Sequence, residues 1–160
     1  MSAKLTSNNL IRSLKIKNPE KIKIGCVVSE WHNEITGNLF IGAKKKLMRY
    51  GLLEKNIHEI SVPGSFELIF GTKTLINKDY DAIISIGCII RGETKHFNFI
   101  SNAIINGIKD LNILSDIPII LCVTTDNNIQ QSINRSGGKL GNKGEDSAEA
   151  ALKMILINSK

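Results

Sequence analysis

Asp81-Ala-Ile-Ile-Ser-Ile-Gly-Cys-Ile-Ile-Arg-Gly-Glu-Thr-Lys-His96 is the stretch that decides the fold of this chain. From Ala82 to Ile90 it is almost entirely apolar and rich in β-branched residues, and a charged residue bounds the run at each end. Such a run is typical of a strand that is buried on both faces, as in a parallel sheet. We therefore predict a central strand over residues 82–90.

A glycine-containing turn and a helix follow this strand. Apolar residues then recur at three- and four-residue steps, which predicts an amphipathic helix. Thr94 is the expected N-cap, and it places His96 in the first turn. The free N–H groups at a helix start attract anions, and histidine changes charge near neutral pH. The turn is thus a candidate for anion binding and proton transfer, although His96 could equally be solvated surface.

Composition restricts the class of protein. The chain has 160 residues and a net charge of +6, which suits one domain with a full-sized core. Its lysines are scattered, and the single run, Lys44-Lys45-Lys46, falls on the polar side of a predicted helix. Aromatic residues make up only 5%. These features favour a solvated surface over a nucleic-acid-binding patch.

Apolar runs and cysteines indicate the compartment. The N-terminus lacks the apolar region of a signal peptide, and no apolar run approaches the roughly 20 residues that cross a membrane. Cys26, Cys88 and Cys122 each fall inside a strand-like run, which predicts small buried side chains without disulfides. We therefore expect a cytoplasmic protein that binds no membrane.

Strand and helix patterns alternate four times along the chain. The predicted strands cover residues 22–28, 57–62, 82–90 and 119–124, and predicted helices follow each of them, with a second helix at the end. This alternation predicts a parallel sheet with helices on both faces. Residues 1–20 form a polar N-terminal arm, either frayed or an edge strand in need of a partner. Residues 21–160 form one domain.

Three strand-to-helix turns carry unusual residues: Trp31-His32-Asn33, Pro63-Gly64-Ser65-Phe66-Glu67, and the turn before His96. In a parallel sheet all three lie at the same edge, where ligands bind. Trp31 could stack on a planar heterocycle, or it could be a packing residue. Residues 137–144 lack the ending of a phosphate-binding P-loop, and the three histidines are scattered without a cysteine beside them, so no metal site is expected.

Three longer motifs stand out in the chain: Val62-Pro-Gly-Ser-Phe-Glu67, Ile86-Gly-Cys-Ile-Ile-Arg-Gly-Glu-Thr-Lys-His-Phe97 and Arg135-Ser-Gly-Gly-Lys-Leu-Gly-Asn-Lys-Gly144. Together they resemble the 6,7-dimethyl-8-ribityllumazine synthase family. The resemblance runs from about residue 22 to the C-terminus. It implies a flavodoxin-like α/β/α sandwich, with a mainly parallel four-stranded sheet and an N-terminal edge strand shared with a neighbouring subunit.

The resemblance also implies an activity. Family members join 5-amino-6-(D-ribitylamino)uracil to 3,4-dihydroxy-2-butanone 4-phosphate, the penultimate step of riboflavin biosynthesis. They release phosphate and water and use no metal or organic cofactor. By motif position, His96 would transfer protons. Arg135, together with backbone N–H groups at Glu93 and Thr94, would hold the phosphate.

The remaining site residues are assigned by the same resemblance. Trp31 would stack on the pyrimidine, and Glu67 would accept hydroxyl groups of the ribityl chain. The full substrate-binding set is Trp31, Ser65, Phe66, Glu67, Cys88, Ile89, Ile90 and Leu121. Leu121 stands where many members have a phenylalanine that covers the substrate of the adjacent subunit, so it keeps the apolar contact and gives up stacking. Lys143 matches a basic position, and we assign it no role.

Assembly is a further implication of the resemblance. Family subunits form pentamers and often hollow shells of sixty subunits, and the short connection 136–142 resembles that of shell-forming members. We expect a shell of twelve pentamers, with small-molecule substrates and riboflavin synthase as candidate partners and no nucleic acid.

Two other functions fit parts of the sequence. A non-catalytic flavin or lumazine carrier would keep Trp31 and Glu67 but could dispense with His96 and Arg135. A generic flavodoxin-like phosphate-binding module would not carry the other two motifs. Retention of both His96 and Arg135 favours the enzyme.

Overall fold

The structure is a computed structural model that describes residues 14–158. The strands are β1 Ile24–Ser29, β2 Ile57–Val62, β3 Ala82–Ile90, β4 Ile119–Asp126, β5 Ser136–Gly138 and β6 Gly141–Asn142. The helices are α1 Asn33–Arg49, α2 Leu68–Ile76, α3 His96–Leu114, α4 Ile129–Arg135 and α5 Lys143–Asn158. Short 3-10 helices occupy Pro19–Lys21 and Glu54–Asn56.

Four parallel strands form the main sheet in the order β2-β1-β3-β4. This is the strand order of a flavodoxin-like doubly wound fold, and it confirms the predicted α/β class. The predicted N-terminal edge strand concerns residues 1–20, and the first thirteen of these lie outside the described residues.

The central strand β3 separates two apolar layers. On one face, β1 and β3 pack against α1 and α5; we call this the α1/α5 face. On the other face, the alternate side chains pack against α2 and α3; we call this the α2/α3 face. Both faces of β3 are buried as far as Cys88, as its unbroken apolar run predicts. The residues that follow β3 therefore emerge at a fixed point on the sheet edge.

The segment between α4 and α5 forms the antiparallel β5–β6 hairpin, which the sequence pattern does not predict. Gly137 and Gly141 have φ values of 119° and 83°, in the region that favours glycine. The Asn142 amide donates to the carbonyl of Asn38 at 2.9 Å and so fixes the hairpin to α1. The short connection between α4 and α5 is thus held against α1.

All three cysteines are free and buried, as predicted. Burial raises the pKa of the Cys122 thiol to about 11, and burial raises the pKa of Cys26 further. A raised pKa lowers the fraction of reactive thiolate at a given pH.

We therefore expect the native protein to react very slowly with a thiol-specific reagent at mildly alkaline pH. All three thiols should react quickly once the chain is unfolded. Mass spectrometry after timed labelling measures both rates. Rapid native labelling of Cys26 would contradict the packing described here.

None of the helices within residues 14–158 is long and apolar enough to cross a membrane.

Candidate active site

The turns after β1, β2 and β3 lie together at one edge of the sheet, as the sequence predicts. The parallel register places Ser29 opposite Val62 and Val28 opposite Ile86. The N–H of Glu30 donates to the carbonyl of Val62 at 2.8 Å and joins the first two turns. We refer to this region as the carboxyl edge.

Trp31 and Glu67 both lie against Gly64. The Oε2 atom of Glu67 accepts the N–H of Gly64 at 3.0 Å. A Cβ added at Gly64 would lie 2.9 Å from Cε3 of Trp31 and 3.0 Å from Oε2 of Glu67, so glycine permits this approach. The tryptophan side chain is 68% exposed, and an aromatic face at a sheet edge can stack on a planar ring.

Ser65 fixes the β2–α2 turn to the central strand. Its hydroxyl donates to the carbonyl of Cys88 at 3.2 Å, and the residue is buried. Phe66 is half exposed beside it. Ile89 and Ile90, at the end of β3, are partly buried. The predicted pyrimidine and ribityl residues of these two elements therefore lie close together.

The β3–α3 turn is exposed and offers hydrogen-bond donors. Within residues 14–158, the N–H groups of Glu93 and Thr94 donate to no protein atom. The Thr94 hydroxyl accepts the N–H of His96 at 3.3 Å. The helix begins at His96, one residue later than an N-cap at Thr94 predicts, because Lys95 holds the cap position with helical backbone angles. His96 itself is exposed.

Arg91 anchors the start of this turn to the neighbouring strand. Its N–H donates to the carbonyl of Asp126 at 2.9 Å, and its Nε donates to Oδ1 of Asn127 at 2.9 Å. Its guanidinium carbon lies 4.6 Å from the ring centroid of Phe97, within the range of a cation–π contact. Contacts thus hold the turn before His96 at Arg91, while Glu93 and Thr94 remain exposed.

Arg135, at the end of α4, contacts the end of β4. Its Nη1 lies 3.2 Å from Oδ1 of Asp126 and donates to the carbonyl of Gln131 at 3.1 Å. The carboxylate is buried, and its Oδ2 accepts the hydroxyl of Ser132 at 2.8 Å. Ser132 in turn lies 3.5 Å from the sulfur of Cys88.

The helices that carry His96 and Arg135 pack on opposite faces of the sheet. The helix that begins at His96 packs on the α2/α3 face. Arg135 belongs to α4, whose Ser132 contacts Cys88, and Cys88 packs with α1 and α5. Both residues follow strands that end at the carboxyl edge, but within one chain the helices that carry them pack on opposite faces of the sheet.

A cavity of about 460 Å³ runs along the edge strand β4. Its lining includes Leu121, Asp126, Arg135 and Lys143. Lys143 is engaged by Asp146, with 2.7 Å between Nζ and Oδ2. Two of the predicted site residues, Leu121 and Arg135, therefore share a cavity that opens beyond the sheet, because β4 has no further strand beside it among the described residues.

The sequence alone does not identify Asp126 and Ser132 as parts of this arrangement. Asp126 lies two positions beyond the predicted strand 119–124, where an exposed carboxylate in a turn would also fit. Only the tertiary contact with Arg135, nine positions later, distinguishes it. Among residues 14–158, no three histidine, cysteine or acidic residues lie close enough together to hold a metal ion.

Comparison with known proteins gives consistent results. The family model described as 6,7-dimethyl-8-ribityllumazine synthase matches residues 21–159. A 6,7-dimethyl-8-ribityllumazine synthase of Christiangramia forsetii is 51% identical over 154 residues, 94% of this chain and 92% of the relative. Proteins with the same name from Flavobacterium psychrophilum and Bacteroides fragilis are 50% and 49% identical over 146 and 135 residues. These alignments cover 91% and 84% of this chain, and 77% and 94% of the relatives.

Proposed function

The chain belongs to the 6,7-dimethyl-8-ribityllumazine synthase family, and from this premise we propose how its carboxyl edge performs the reaction. The enzyme is a transferase that condenses 5-amino-6-(D-ribitylamino)uracil with 3,4-dihydroxy-2-butanone 4-phosphate in riboflavin biosynthesis. The amine condenses with the ketone, phosphate is eliminated, and the ring closes with loss of water. Each step moves a proton, so the site must orient two substrates and supply a proton-transfer group.

His96 is the proton-transfer residue in this proposal. It is exposed at the first residue of α3, and the turn before it is fixed by Arg91. An imidazole can take a proton from the attacking amine and return it to a leaving oxygen, because its ring nitrogens can accept and donate protons.

The pyrimidine substrate binds against Trp31. The indole stacks on the heterocycle, and main-chain groups of Cys88, Ile89 and Ile90 face its edge. One carboxylate oxygen of Glu67 accepts a hydrogen bond from the N–H of Gly64. Its other oxygen has no hydrogen bond within residues 14–158 and is free to accept ribityl hydroxyls. Ser65 holds the β2–α2 turn in place, and Phe66 covers the ribityl chain of the substrate.

The phosphate of the four-carbon substrate binds at the start of α3. The free N–H groups of Glu93 and Thr94 favour an anion there, together with the helix dipole. Because the helices that carry His96 and Arg135 pack on opposite faces of the sheet within one chain, we propose that a neighbouring subunit supplies Arg135. Leu121 lines the same cavity as Arg135. The same neighbouring subunit therefore supplies Leu121, which covers the substrate ring.

One observation carries this proposal: Trp31, Gly64 and Glu67 meet at the same edge as the open turn before His96. Incubating the purified protein with both substrates tests it. The lumazine product, measured by its fluorescence, and free phosphate should form in equal amounts. Both should form at a rate well above that without protein. Omitting either substrate provides the control, and product formation at the protein-free rate would reject the proposal.

The assembly and setting of the enzyme are also proposed. We assign residues 1–20 to an arm that adds to the sheet of a neighbouring subunit, and residues 21–160 to the catalytic domain. Five subunits close a ring by head-to-tail contacts. The short connection 136–142, which resembles that of shell-forming family members, is the reason to propose a shell of twelve such rings. A cytoplasmic location and riboflavin synthase as partner belong to the same proposal.

Sedimentation velocity should therefore show a particle of about sixty subunits at micromolar concentration in phosphate buffer. A mass near five subunits would reject the shell and keep the ring. An active monomer would reject both.

A further inference from the structure

Asp126 is a buried carboxylate whose two oxygens have different partners. It is only 4% exposed. Oδ1 lies 3.2 Å from Nη1 of Arg135, and Oδ2 accepts the Ser132 hydroxyl at 2.8 Å. A buried carboxylate is costly unless it is paired and hydrogen-bonded. The charge of the Asp126 carboxylate is therefore balanced mainly by the partly exposed guanidinium of Arg135.

The guanidinium of Arg135 is engaged on one side only. Nη1 contacts Asp126 and the carbonyl of Gln131. Within residues 14–158, Nε and Nη2 donate to no protein atom. Two parallel N–H groups on the free side match the geometry of a phosphate, which an arginine can bind with two hydrogen bonds.

We propose that Asp126 is a positioning residue that orients the guanidinium of Arg135 toward the substrate phosphate. The inference rests on the proposed phosphate role of Arg135 and adds the group that prepares it. A flexible arginine loses rotamer freedom when it binds a ligand. The carboxylate fixes the side chain beforehand, so less freedom is lost when phosphate arrives.

The backbone and side chain of Asp126 are themselves held in place. Its carbonyl accepts the N–H of Arg91 at 2.9 Å. Ser132, which donates to the carboxylate, lies 3.5 Å from the sulfur of Cys88 on β3. The carboxylate is thus fixed by β3 and α4 together, which is what a residue that orients another side chain requires.

A double-mutant cycle tests the proposal, with Asp126→Asn, Arg135→Ala and their combination in the assembled enzyme. Asp126→Asn keeps the size of the side chain and removes its charge. We expect it to raise the KM for the butanone phosphate about threefold to tenfold, the cost of ordering one long side chain on binding. The KM for the pyrimidine should not change. In the Arg135→Ala background, Asp126→Asn should have no further effect on either constant.

Asp79→Asn is the matched control. It also removes a carboxylate paired with a cation, Lys23, but its side chain is 90% exposed. Its kinetic constants should equal those of the wild type. If Asp126→Asn fails to assemble, Ser132→Ala replaces it, since it removes the other anchor of the carboxylate. A smaller rise in the same KM, again absent in the Arg135→Ala background, is then expected.

Two results overturn the inference alone: an unchanged or lower KM for the butanone phosphate in Asp126→Asn, or an equal effect of that change with and without Arg135. A lower KM would mean that the carboxylate withholds the arginine from phosphate. An Arg135→Ala enzyme with unchanged constants would instead overturn the phosphate role of Arg135, and the inference with it.

Discussion

Replacing His96 with alanine is expected to lower turnover by about a hundredfold while the affinity for the pyrimidine substrate stays nearly unchanged. General acid–base groups contribute about 10²–10⁴-fold. We expect the lower end because part of the reaction proceeds without help from the protein. His96 is exposed at the start of α3, so its loss should leave the core and the contact of Trp31 with Gly64 intact. Steady-state lumazine fluorescence gives turnover, and direct titration gives pyrimidine affinity.

His58→Ala is the matched control for this experiment. His58 lies on β2, where its ring contacts Tyr80 with 5.5 Å between centroids, away from the carboxyl-edge turns. Its replacement should leave turnover at the wild-type value. Full turnover in His96→Ala would remove this residue from the mechanism.

Replacing Arg135 with alanine is expected to weaken use of the butanone phosphate specifically. A charge-assisted hydrogen bond contributes on the order of 1.5–3 kcal/mol, so kcat/KM for this substrate should fall about tenfold to a hundredfold. The pyrimidine constants should change little, because Trp31 and Glu67 lie on other elements. Titrating one substrate at a saturating concentration of the other separates the two effects.

Arg49→Ala controls for the loss of a positive charge. Arg49 ends α1 and pairs with Glu145, with 3.5 Å between the charged atoms, and it is more exposed than Arg135. Its loss should leave both substrates unaffected. If Arg135→Ala behaves like this control, the phosphate is held by other groups.

Local patterns are sufficient to predict the four strands of the main sheet. The predicted bounds of β2 and β3 agree with the structure to the residue, since a turn signal and a charge interrupt their apolar runs. The apolar periodicity after β1 predicts a helix that begins at about Thr36, whereas α1 begins three residues earlier, at Asn33. His32 precedes that helix with a φ of 59°, a backbone conformation that side-chain periodicity does not reveal.

The β5–β6 hairpin could not be predicted by the same reasoning. Its strands have three and two residues and little apolar character, so no period-2 pattern exists to detect. Asn142, which fixes the hairpin to α1, contributes through a contact 104 positions away in the chain.

The site was predictable where one strand end determined it. Parallel strands place their turns at one edge, which brings Trp31 and Glu67 together and sets the His96 turn beside them. The position of Arg135 depends instead on which face α4 covers. That choice follows from the contact between Ser132 and Cys88, residues 44 positions apart. Sequence motifs assign Arg135 to the same site but do not reveal that its helix and the helix of His96 pack on opposite faces of the sheet.

Mixed rings of His96→Ala and Arg135→Ala subunits test the central claim, that two subunits build each site. The two variants are unfolded, mixed in equal amounts and reassembled, and lumazine formation is compared with that of each variant alone. If His96 and Arg135 come from adjacent subunits, about a quarter of the interfaces in a head-to-tail ring regain both residues. Activity should then rise to about a quarter of the value for wild-type protein reassembled in the same way. If both residues act within one subunit, no intact site can form, and an activity equal to the mean of the two separate variants would contradict the account.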